Sequence, residues 1–112
     1  PHKLDIEAMR EAADYMIGPK NFTSFTDDSE NKDPVRRVTN IKIVSNGEKL
    51  RITYYGTGFM YHMVRIMTGT LLEVGTGERE ASMIPVVIAA EDRSQAGFLA
   101  PARGLFLRKV YY

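Results

Sequence analysis

Apolar residues recur at helical spacing near the start of the chain, at Ile6, Met9, Ala13, Met16 and Ile17. Asp5 stands where an N-cap belongs, and Gly18-Pro19 ends the pattern. The stretch KNFTSFTDDSENKDP reads as a loop, with Phe22 and Phe25 as its anchors on the core. The rhythm then changes to alternation. Ile41 and Ile43 alternate with Asn40 and Lys42, and Leu50, Ile52 and Tyr54 alternate with Arg51 and Thr53. Asn46-Gly47 between the two runs predicts a hairpin with a tight turn. Gly56-Thr57-Gly58 breaks the second strand, and residues 59–74 read as a long, mostly apolar helix closed by Gly75-Thr76-Gly77. A shorter helix is predicted over 82–90, with Pro85 tolerated in its first turn. EDRSQAGFLAPARG is then a loop, and LFLRKVYY a strand rich in β-formers. The order α-β-β-α-α-β predicts a single α+β domain over 1–112, a small antiparallel sheet with helices packed on one face.

The second helical pattern is unusual. At about 100° per residue, Phe59, Met60, Met63, Val64, Ile66, Met67 and Leu71 fall on one arc, the core face. The opposite arc carries Tyr61, His62, Arg65, Thr68, Gly69 and Leu72 rather than a row of Lys and Glu. Such a helix is expected to be covered on two sides. Arg65 then sits on a covered face and needs a partner, most naturally a carboxylate held by two parallel hydrogen bonds. Gly69, one turn away, leaves room for another backbone or a ligand to approach. On spacing alone, Arg65 also fits a surface or interface arginine.

Composition narrows the classes without choosing one. At 112 residues, 44% hydrophobic and 26% charged, the chain resembles an ordinary globular domain. No charge-free stretch approaches the roughly 20 apolar residues of a membrane span, and no membrane association is expected. The absence of cysteine excludes disulfides and thiolate metal sites and fits a reducing, cytoplasmic setting. His2 and His62 are too far apart and too alone for a metal centre, and Met60, Met63 and Met67 read as core filler. The net charge of +1 announces no polyanion partner. Even so, Arg36, Arg37, Arg51, Lys42, Arg103, Arg108 and Lys109 could gather on a sheet face and meet phosphates. Asp92-Arg93 reads as a local pair fixing the loop before the last strand.

Three segments in register carry a family resemblance. GTGFMYHMVRIMTGTLLEVGTG closely resembles a motif of the tRNA pseudouridine synthase A family, in which Gly-x-Gly-Phe ends a strand and Met-Val-Arg and Gly-Thr-Leu follow on a helix. AEDRSQAGFLAPARGLFLRKVYY is similar to that family's closing segment, and KNFTSF followed by Arg36 is a weaker third match. The chain departs from the pattern at Met60, where the family has Leu, and at Ile66, where it has Asn. Lys20-Asn21 replaces His-Asp, and Leu99 replaces Thr.

The resemblance implies the C-terminal half of a pseudouridine synthase fold. The enzyme would isomerise uridine to pseudouridine in the tRNA anticodon stem-loop, with no metal or organic cofactor. The family's nucleophilic aspartate lies in an Arg-Thr-Asp motif, which does not occur among these residues. The chain, which opens without an initiator methionine, is therefore expected to be an excised domain, inactive alone and partnered by a missing N-terminal catalytic half. The resemblance gives Arg65 the role of pairing with that aspartate and places Leu105 beside the target base. Phe59 is a candidate pocket wall, and Arg36, Arg37, Arg51 and Arg103 are candidate tRNA contacts. The intact enzyme would be a homodimer. Two other readings remain open at this point: a separate, non-catalytic RNA-binding module, and a protein-interaction domain that docks, or weakly self-associates, through the Arg65 face.

Overall fold

The computed structural model describes residues 3–28, 30–47 and 49–102, together with the backbone of Lys109 and Val110. Helix α1 (Ile6–Asp14) starts where Asp5 Oδ1 accepts the Ala8 amide at 3.0 Å, the expected cap. The chain then makes a strand where a loop was expected: β1 (Gly18–Asn21) pairs antiparallel with β2 (Val35–Asn46), Lys20 opposite Arg36. Gly18 takes φ 109°, and Pro19 is tolerated because β1 is the sheet edge. Phe22 and Phe25 follow, both fully buried and edge-to-face at 5.9 Å, so this segment is anchored as its aromatics suggested.

The hairpin of β2 and β3 (Lys49–Gly56) stands as predicted. Its turn begins at Gly47 (φ 63°), because Asn46 is still in register with Lys49. A bulge between Val38 and Asn40 resets the alternation, so that Val38, Ile41 and Ile43 all face the core. Ile43, Ile52 and Tyr54 lie in one apolar cluster with Met9 and Met16 of the N-terminal segment and with α2 (Met63–Gly75) and α3 (Ile84–Ala90). The Tyr54 hydroxyl is 2.7 Å from the Thr68 hydroxyl, and burial pushes its phenol far above the ordinary range.

The small antiparallel sheet expected from the sequence is present as β1–β3, with one further strand added to it, and the start of the second helix needs correction. The sheet is antiparallel only through its first three strands. The closing strand β4 (Lys109–Val110) lies parallel to β3, Tyr54 opposite Lys109. The long crossover through α2 and α3 is what permits a parallel neighbour. Helix α2 begins at Met63, not at Phe59, because His62 takes a left-handed conformation (φ 62°) that interrupts the helical path. Phe59, Met60 and Tyr61 are therefore positioned by a turn. Among the described residues no helix is long and apolar enough to cross a membrane.

Candidate functional site

Arg65 lies in the first turn of α2, and the helix is indeed covered on both sides. One side packs in the core through Met63, Ile66 and Met67. The other is covered by the chain's own residues 96–100. The Gly97 amide donates to Thr70 Oγ1 at 2.9 Å, and the Phe98 amide to Glu73 Oε2 at 3.1 Å. Gly69 makes this possible: a Cβ there would stand 1.8 Å from the Phe98 carbonyl oxygen. The backbone anticipated beside Gly69 is thus Phe98.

The same segment clasps Arg65. The Ala100 amide donates to the Arg65 carbonyl at 3.1 Å, and Arg65 Nε donates to the Ala100 carbonyl at 2.7 Å. This bond uses one edge of the guanidinium and fixes its plane. Among the described residues no carboxylate pairs with Arg65, and its terminal nitrogens meet no acceptor. The side chain lines an open groove of about 430 Å³ shared with Phe59, Tyr61, His62 and Val64. Phe59 serves two purposes, lining this groove and packing against Gly56, where a Cβ would come within 3.0 Å of its ring.

A polar cluster that the sequence did not announce stands at the groove's edge. Asp27 Oδ2 accepts from His62 Nδ1 at 2.7 Å, and its Oδ1 accepts from Arg93 Nε at 2.9 Å. Arg93 also donates to the Gly97 carbonyl at 2.8 Å, tying the cluster to the segment that covers α2. Thr26 Oγ1 donates to the Tyr61 carbonyl at 2.9 Å. These bonds hold His62 in a backbone conformation that costs on the order of 1–3 kcal/mol for a non-glycine residue. Asp92 and Arg93 do not pair with each other. Asp92 accepts from the Ser94 amide and hydroxyl at 2.9 and 2.8 Å, while the Arg93 side chain turns away to Asp27. Both still fix this loop, by separate contacts.

The hydrogen bond from His62, and secondarily the bond and charge of Arg93, hold the Asp27 carboxyl below its ordinary pKa. A carboxyl depressed on folding stabilises fully above its unfolded pKa of about 4, and the gain is lost as pH falls through the lower folded value. Asp27→Asn is therefore expected to lower Tm near neutral pH, with the difference from wild type shrinking in melts taken at about pH 3. A gap constant across that range would show that the cluster carries no such charge.

Comparison with known proteins identifies the lineage. A family model described as tRNA pseudouridine synthase matches residues 12–112. The chain belongs to the tRNA pseudouridine synthase family. Among its curated relatives, tRNA pseudouridine synthase A of Bacillus pumilus is 46% identical over 115 residues, covering 100% of this chain and 46% of that protein. That of Acetivibrio thermocellus is 43% identical over 112 residues, with 99% and 46% covered. The tRNA pseudouridine synthase A 2 of Clostridium tetani is 42% identical over 111 residues, with 98% and 45% covered. The chain thus spans somewhat less than half the length of these relatives.

The sheet divides the basic residues singled out in the sequence. Arg37, Lys42 and Arg51 are exposed and, by alternation, lie on the face turned away from the core. Arg36 shares Val38's face instead. It is tied back to its own loop by the Val35 and Asp33 carbonyls and by the Asp33 carboxylate at 3.7 Å. Arg103, Leu105 and Arg108 lie outside the described residues, and so does the Lys109 side chain. Among the described residues no cluster of three or more His, Asp or Glu could hold a metal ion.

Proposed function

We propose that these residues form the part of a tRNA pseudouridine synthase that presents Arg65 to a catalytic aspartate carried elsewhere in the enzyme. The intact enzyme isomerises uridine to pseudouridine in the tRNA anticodon stem-loop, as a homodimer in the cytoplasm. One observation carries this reading. Arg65 is clasped at Nε by Ala100 and lines an open groove, and its terminal nitrogens have no acceptor among the described residues. A guanidinium oriented in this way suits the bidentate capture of a carboxylate. Its charge would lower that carboxylate's pKa and keep it ionised, as a nucleophile requires. In the reaction the bond between C1′ and N1 of the base breaks, the base turns, and C1′ rejoins it at C5; the C5 proton leaves to water and N1 takes one up. The target nucleotide must first leave its stack. In this reading Leu105 serves the target base, Phe59 walls the pocket, and Arg37, Arg51 and Arg103 meet the RNA backbone, with Arg36 available to it only from the other face of the sheet.

The intact protein is expected to release tritium from an anticodon stem-loop labelled at C5 of uridine, whereas residues 1–112 alone release none. Release by the 112 residues alone would place the nucleophile within them and defeat this reading. So would an intact protein that releases nothing.

A further inference from the structure

Tyr61 is 62% exposed, unusually open for a large aromatic side chain beside a groove. One face of its ring lies on the His62 imidazole, with centroids 3.7 Å apart and planes 24° from parallel. Tyr61 lines the same groove as Arg65, and with His62 on one side its exposure leaves ring surface uncovered. The pair is fixed from below. Asp27 holds the imidazole, Thr26 holds the Tyr61 carbonyl, and Arg93 holds Asp27. A ring that only filled space would need none of this. A flat aromatic face held rigid before binding, with a cation nearby, suits the stacking of an unpaired base.

We propose that the open face of Tyr61 stacks on an unpaired nucleobase of the RNA, with His62 and its Asp27–Arg93 support as positioning residues. The inference rests on the reading of this chain as part of a tRNA-modifying enzyme and adds a base-binding residue to it. The recognised class is a nucleobase that has left its helix, whether the target uridine or a neighbour that its extrusion uncovers. Because stacking uses the π-face, which every base has, Tyr61 contributes affinity with little sequence preference. Its hydroxyl is not required.

The test uses the intact protein and a tRNA anticodon stem-loop carrying 2-aminopurine beside the target uridine. Wild type and Tyr61→Phe are expected to quench the probe equally and to share one KM. Tyr61→Leu, which keeps apolar bulk but has no ring, is expected to lose the quench and raise KM on the order of tenfold. Its salt dependence should stay unchanged, since no phosphate contact is removed. A Tyr61→Leu protein with wild-type KM and quench overturns the proposal while leaving the enzyme reading intact. So does one whose main defect is a lowered Tm, which would make Tyr61 a protein-packing residue. If wild type does not act on tRNA at all, the enzyme reading itself fails and takes the proposal with it.

Discussion

Arg65→Gln in the intact protein is expected to cut kcat on the order of 10²–10³-fold, the usual loss when one preorganised electrostatic partner is removed. KM should move little, because in the proposed role the guanidinium acts on a carboxylate rather than on the RNA. Some structural cost accompanies the change, since the bond from Nε to the Ala100 carbonyl is lost. A bond of that kind contributes about 0.5–1.5 kcal/mol. Arg65→Lys separates the two effects. It restores the charge but offers neither the Nε contact nor the planar fork, so it should recover less than full activity. Steady-state kinetics with melting curves on the same samples decide the matter. A Gln variant with near-normal kcat would remove Arg65 from the active site, whatever its effect on Tm.

The largest effect on stability is expected at Gly69. A Cβ there would meet the Phe98 carbonyl oxygen at 1.8 Å and its carbon at 2.8 Å. Both are backbone atoms, so no side-chain rotation relieves the clash. The segment over α2 must lift, straining the bonds from Gly97 to Thr70 and between Ala100 and Arg65. Gly69→Ala gains about 1 kcal/mol in helix propensity but is expected to lose about 2–3 kcal/mol net through overpacking. That corresponds to a fall in Tm on the order of 10 °C. Gly58→Ala is the control, since a Cβ there meets nothing within 4 Å. If Gly69→Ala and Gly58→Ala melt together, the close approach of Phe98 is not what holds this segment.

The surroundings of Arg65 were legible because small and apolar residues replaced the charged face that a solvent-exposed helix would carry. Thr68, Gly69 and Leu72 announced a cover, and Gly69 marked where it comes closest. The identity of that cover was not legible, because residues 96–100 reach the helix from far along the chain. The start of α2 was misplaced because the apolar arc runs unbroken through Phe59 and Met60, while His62 gives no sequence sign of its positive φ. Strand β1 was missed because four residues, with a proline among them, carry no period to detect. The Asp27–His62–Arg93 cluster joins residues 35 and 66 positions apart, a distance that periodicity cannot span. Arg36 and Arg37 point to opposite faces simply because they are neighbours on a strand.

The clasp between Arg65 and Ala100 also makes the groove and the closing segment thermodynamically linked. Whatever engages the free end of the guanidinium holds its Nε edge in place, and through it the Ala100 carbonyl. Such coupling is reciprocal. An occupant that bonded the guanidinium would tighten residues 96–100 on α2, and a segment already seated there would leave less disorder to be lost when the groove fills. Because Arg93 anchors to the Gly97 carbonyl, the Asp27 cluster shares in this exchange. The closing segment is thus both a brace for Arg65 and a place from which its orientation can be tuned without touching the groove.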